Sequence, residues 1–391
     1  MAYTENTIVN PTANTTSKAS SKKQGIPYRY DFVGSFLRPE CLKKARAEFE
    51  AGKISAEQLK EVEDRAILDL VEKQKKAGFS VITDGEFRRA TWHLDFMWGF
   101  EGVGHSKTKT GLPFHGEAAM IDDTYLTGKI SVKQHPFVEH FKFVKALEDE
   151  HTVAKQTIPA PAQFLEQMIM PFAAENTSKY YEDTEELVRD IAEAYKKVIA
   201  DLYEAGCRNL QLDDCSWGML VDARACMLFD TDEEGLEKIK EQLLRINNLA
   251  IEGKPEDMVI ATHVCRGNFH STYASSGAYD SVAETLFARE NVDAYYLEFD
   301  DARSGGFEPL KQVSGDKKVV LGLITSKSPK LEKKEDVIAR IYEAAKYIPL
   351  ERLCLSPQCG FASCEIGNKL TEEEQWAKLA LVKEIAEQVW G

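Results

Sequence analysis

The chain has 391 residues, 43% hydrophobic and 29% charged, enough to bury a large core in one big domain or two small ones. With 64 acidic against 49 basic residues the formal net charge is -15, which disfavours nucleic acid and anionic membranes as partners and leaves a small molecule as the expected substrate. No run approaches the roughly 18 apolar residues of a membrane span, and eight irregularly spaced cysteines with no secretory leader fit a cytoplasmic protein with reduced thiols.

Residues 1–26 are rich in Asn, Thr, Ser and Lys and are expected to form a flexible tail, leaving 27–391 as a single domain. Tyr28 to Ser35 reads as a first strand and Pro39 starts a helix. Ser55-Ala56-Glu57-Gln58 is a capping box that opens a long amphipathic helix ending near Gly78. Phe79 to Thr83 is a second short strand with the polar end Asp84-Gly85-Glu86. From about residue 92 to 142 the periodicity fails and glycine, aromatic and β-branched residues mix, which predicts a β-rich insertion. Strands follow at Thr152–Thr157, Arg208–Leu212, Met258–Ala261, Asp293–Leu297, Lys318–Ile324 and from Leu353, most followed by a helical stretch, and Thr371 opens a last capped helix.

Eight strands alternating with helices predict an α/β fold, a (β/α)8 TIM barrel with the insertion after its second strand. An open doubly wound sheet is the alternative, but no glycine-rich phosphate turn follows the first strand. In a barrel the strand C-termini converge on one mouth, so Ser35, Glu86, Asp213, His263, Cys265, Glu298, Lys327 and Cys359 are expected to share one cavity.

Four of these residues suggest a metal. His263 and Cys265 lie two apart at a strand end and project to one side, and Glu298 and Cys359 hold corresponding places after later strands. One imidazole, two thiolates and a carboxylate form a set suited to Zn2+, although each taken singly reads more readily as an ordinary core residue. Three anionic ligands make the metal a poor acid for water, so the expected chemistry is alkylation of a bound thiol. Glu86 and Asp213 suit the ammonium group of an amino-acid thiol, and the Gly34-Ser35 turn suits its carboxylate. The competing expectation is that Glu86 pairs with Arg88 or Arg89 and that the two aspartates cap a turn.

The fragments Val33-Gly34-Ser35-Phe36, Asp84-Gly85-Glu86, Leu210 to Asp214, His263-Val264-Cys265, Leu297-Glu298 and Pro357-Gln358-Cys359-Gly360 resemble the catalytic barrel of the cobalamin-independent methionine synthases. That resemblance implies methyl transfer from 5-methyltetrahydrofolate to homocysteine, with His263, Cys265, Glu298 and Cys359 on zinc and Ser35, Glu86 and Asp213 on the amino acid. Three departures stand out. There is room for only one barrel; Lys327-Ser328-Pro329 replaces a His-Ser-Pro whose histidine suits protonation of the departing folate nitrogen; and Phe299 to Arg303 replaces a shorter segment after Glu298. Lys327 is the expected acid in place of the histidine, with burial expected to lower its pKa. Other methyl donors, a zinc alkyltransferase or lyase acting on another small thiol, and a closed structural zinc site are the alternatives; a homodimer is compatible with such a chain.

Overall fold

The computed structural model describes residues 25–391, so most of the expected tail lies outside the described residues. Strands β1 (Val81–Ile82), β2 (Glu101–Ser106), β3 (Leu112–Phe114), β4 (Glu117–Ala119), β5 (Asp123–Ser131), β6 (Val153–Ala154), β7 (Gln156–Pro159), β8 (Asn209–Asp213), β9 (Val259–Val264), β10 (Ala294–Glu298), β11 (Lys318–Ile324) and β12 (Leu353–Pro357) occur in that order. β7 to β12 form one parallel sheet in sequence order, and β1 pairs in parallel with β6, which runs into β7 across Lys155. At the other edge Asp31 N–H donates to Leu355 and Leu355 N–H to Arg29, bringing the first extended segment onto β12. The fold is an α/β TIM barrel, with its sheet strands buried on both faces as continuous apolar runs require.

The helices begin where local chemistry starts them. Ser55 and Thr371 form complete capping boxes before Ala56–Lys76 and Glu372–Trp390, while Asp183 and Asp232 cap Thr184–Glu204 and Glu233–Ile251. The insertion is β-rich: β2 pairs antiparallel with β5, and β3 with β4 forms a hairpin between them. The helix Pro136–Lys145 then leads back to the barrel. The first segment differs from its expected form, because only Tyr30 makes a bridge there and the backbone turns away into Gly34-Ser35.

At the end of the barrel remote from the strand C-termini, Ile26 is buried against Val153 and Val259, and Lys318 Nζ donates to the carbonyls of residues 25 to 27. Deeper in, Lys155 is a buried cation whose ammonium lies 3.0 Å from Asp31 Oδ1, while Tyr296 O–H donates to Asp31 Oδ2 at 2.6 Å. Lys155 also donates to the Phe32 carbonyl. A charge pair taken out of water repays its desolvation only while both partners and their hydrogen bonds are present. Gly322 is required for a different reason: a Cβ there would stand 2.6 Å from Gln358 Cα and 2.8 Å from the Leu297 carbonyl, forcing apart β10, β11 and the segment that carries Cys359. No helix of the described residues is long and apolar enough to cross a membrane.

Lys155→Ala is expected to leave Asp31 buried without its cation and to cost about 3–5 kcal/mol in urea unfolding. A loss below about 1 kcal/mol would show that the pair is not a structural requirement of the barrel.

Candidate active site at the strand C-terminal ends

The ends of β9 and β12 deliver three soft or borderline donors to one buried point. One ligand atom each from His263, Cys265 and Cys359 lies within 4.8 Å of the other two. His263 stands opposite Asp213 in the β8–β9 register. Its Nδ1 is 3.0 Å from Asp213 Oδ1, and Nε2 is 3.2 Å from the Gln358 carbonyl. Asp213 in turn accepts from Gln211 Nε2 at 2.7 Å. A carboxylate behind an imidazole fixes ring orientation and raises its basicity, the arrangement typical of a metal-bound histidine. Burial alone would discharge His263, but Asp213 and Cys359 outweigh it and hold the ring protonated up to about 10.

The two thiols are crowded. Cys265, beside Cys215 and buried, and Cys359, beside Cys265 and buried, are both pushed well above the ordinary thiol range. Two buried sulfurs and an imidazole converging in this way need a cation to ionise the sulfurs together, and the donor set fits a borderline-soft ion such as Zn2+.

Glu298 lies outside that three-residue cluster. Its Oε2 accepts the Arg266 N–H at 3.1 Å, and its Oε1 is 3.2 Å from the Arg303 guanidinium and 3.9 Å from Lys327 Nζ without a hydrogen bond to either. Lys327 is buried 3.7 Å from Asp300 as well. Burial opposes its charge, yet Glu298 and Asp300 prevail and raise its pKa. This reverses the expectation of a lowered value: two buried carboxylates stabilise the ammonium more than burial destabilises it.

The expected substrate residues share a pocket with the three donors: Ser35, Glu86 and Asp213 line it, together with Trp92, Cys215 and Asn268. Glu86 sits at φ 61 on a tight turn in which its own N–H donates to Asp84 Oδ1 at 2.8 Å. Arg38 clamps that turn by donating to the carbonyls of Glu86, Arg89 and Ala362. Glu86 Oε1 accepts from Thr157 Oγ1 at 3.0 Å and lies 3.4 Å from Arg89, so the expected ion pair is with Arg89, whereas Arg88 binds Glu63 and Asp64. Its Oε2 is buried without a partner. Burial first, then Asp213 and Asp84, push the Glu86 carboxyl up to about 7 against the pull of Arg89 and Arg38.

Sequence reasoning passed over Cys215, whose Sγ is 3.0 Å from Cys265 Sγ. Its signal was its place directly after Asp213-Asp214, at the end of a strand like the other site residues. The short helix Ser216–Leu220 holds it there, and Gly218 permits the approach, since a Cβ would stand 2.1 Å from the Cys265 carbonyl. The pocket is tight, about 30 Å³, and Trp92, Cys215 and Asn268 also line a neighbouring cavity of about 590 Å³.

A TIM barrel with an imidazole–thiol cluster at its strand ends defines the class as a barrel protein with a candidate metal site at the mouth. Residues 31–388 match the family described as the cobalamin-independent synthase catalytic domain, and the chain belongs to that family. It is 44% identical to the uncharacterized protein YxjH of Bacillus subtilis over 96% of this chain and 98% of that one. It is 26% identical to the methionine synthase of Saccharolobus solfataricus, covering 84% and 86%. A solved structure of a candidate vitamin-B12-independent methionine synthase from Listeria monocytogenes is 40% identical, covers 93% of this chain and 98% of its own, and superposes with a TM-score of 0.73.

The raised Glu86 pKa fixes the sign of a pH effect. The unfolded chain ionises this carboxyl near 4.5 and the fold resists until about 7, so the contribution is fully present below 4.5 and is lost as pH rises to about 7. Metal-free Glu86→Gln is therefore expected to lose less stability than the parent across that window in paired urea titrations. Parallel curves for the two proteins would show that Glu86 ionises normally in the fold.

Proposed function

We propose that the protein methylates the thiol of homocysteine to give methionine, using a donor of the 5-methyltetrahydrofolate type. The observation that carries this reading is the meeting, in one pocket, of the His263–Cys265–Cys359 cluster with a buried carboxylate oxygen of Glu86 that has no partner. An unpaired buried carboxylate costs free energy until a donor arrives, and the ammonium group of an amino acid is such a donor. Membership of the family and the methionine synthases among the relatives support the same acceptor.

His263, Cys265 and Cys359 would hold zinc, with Glu298 as the fourth donor once its Oε1 turns from Arg303. Bound there, zinc would supply the positive charge that keeps an added thiol ionised at neutral pH. Asp213 orients His263, and Glu86 and Ser35 bind the two ends of the amino acid. Lys327 holds Glu298 and Asp300 by charge. A sulfonate-bearing thiol is disfavoured, because the pocket offers it Glu86 and Asp213 where it would require cations.

Purified protein is expected to carry about one zinc per chain by elemental analysis, and Cys265→Ser or Cys359→Ser to lose most of it, while Cys41→Ser, exposed and remote, retains it. Asp213→Asn is expected to weaken zinc by about 10- to 100-fold through its loss of grip on His263. Full zinc in both cysteine variants would remove the site. With Co2+ in place of zinc, adding homocysteine should shift the visible spectrum, and an unchanged spectrum would mean a closed structural site.

A further inference from the structure

We propose that Glu166 is the acid that gives a proton to the departing nitrogen of the methyl donor; this rests on the reading above, in which the donor carries its methyl group on nitrogen. The 590 Å³ cavity beside the thiol pocket is the space the donor would occupy, because Trp92, Cys215 and Asn268 line both. Its wall is largely apolar, with Phe114, Phe172, Phe269 and Met219 among its residues, as suits a flat heterocycle.

Glu166 lines this cavity from the helix Pro161–Ile169 and is only 5% exposed. Among the described residues no Lys, Arg or His forms an ion pair with it. It is held by Gln163, whose Nε2 donates to Glu166 Oε2 at 2.8 Å. The same amide is fixed from its other end, since Gln163 Oε1 accepts the Cys215 N–H at 3.0 Å. The carboxyl is thus tied to the loop whose cysteine touches Cys265. Burial first, then the Asp214 carboxylate, push it up to about 8, so it carries a proton at neutral pH.

The other ionisable groups on this wall are poorer candidates: the thiols of Cys215 and Cys364 are both held above the ordinary thiol range and are weaker acids than Glu166. His93 is driven down to about 3 by burial and has no proton to spare. Arg224 is held by Asp222 through two hydrogen bonds of 2.7 and 3.0 Å, and Asp230 is an acid without comparable burial. Lys327 does not line the cavity.

The step balances. The ionised sulfur of the acceptor attacks the methyl carbon, the S–C bond forms and the C–N bond breaks. Its electron pair stays on nitrogen, which takes the Glu166 proton and leaves a carboxylate. The proton lost by the acceptor thiol equals the one Glu166 must regain, so a thiol and an N-methyl compound give a thioether and an N–H compound. An amide nitrogen cannot replace this carboxyl as an acid, although it preserves its shape.

The test compares zinc-loaded parent and Glu166→Gln with two donors at saturating homocysteine: 5-methyltetrahydrofolate, mono- and triglutamyl, and methyl iodide, whose iodide leaves without a proton. Glu166→Gln is expected to slow transfer from the folate by about 100-fold or more while leaving the reaction with methyl iodide within about twofold. The parent-minus-variant infrared spectrum at neutral pH should also show the carbonyl band of a protonated carboxylic acid. Equal folate rates, equal losses with both donors, or no carboxylic acid band would each overturn the assignment. A parent that reacts with methyl iodide but with no folate overturns it too, leaving the acceptor reading intact; a parent that methylates homocysteine with neither donor overturns the proposed function itself.

Discussion

Everything at the mouth of this barrel depends on the parallel register that sets Asp213 opposite His263 across β8 and β9. Parallel strands joined by helices cannot slip without exchanging which side chains face inward, so the pairing is fixed by the apolar runs beneath it. Asp213 then orients His263, and the segment after β12 carries Cys359 to the same point. The close contact of Gly322 with Gln358 holds that segment against β10 and β11.

The mouth also concentrates buried acids. Glu86, Glu166 and Asp214 are each driven up by burial; Arg89 stands by Glu86, and the other cations buried nearby are engaged with other groups. Arg38 binds backbone carbonyls, Arg266 binds the Gly277 carbonyl, and Arg303 and Lys327 attend Glu298 and Asp300. Such an acidic interior is costly in the metal-free protein, and each acid relieved by a metal ion, an ammonium group or a proton lowers that cost. This is the electrostatic pattern of a site built to receive positive charge.

The TIM barrel was legible because its strands are long apolar runs and its helices begin at strong caps; β11 and β12 even keep their expected bounds. The first segment was less so. Tyr28 to Ser35 alternates like a strand, but its polar groups are spent on Leu355, Thr83 and the Gly34-Ser35 turn, so only Tyr30 joins the ladder. The insertion was recognisable from failed periodicity, whereas its two antiparallel pairs depend on register, including pairings between residues as distant as Gly104 and Tyr125.

The sequence by itself determined the chemistry on offer: which strands end in His263, Cys265, Glu298 and Cys359, and which polar residues follow the others. Residue spacing within a strand dictates direction, and convergence at a barrel mouth follows from topology. Only the tertiary structure decided how those groups divide. It drew His263, Cys265 and Cys359 together, left Glu298 with Arg266 and Arg303, kept Lys327 charged between two carboxylates, and brought in Cys215. Those outcomes turn on distances of 3 to 4 Å between residues far apart in the chain, where burial and a single neighbouring charge set the sign of every interaction.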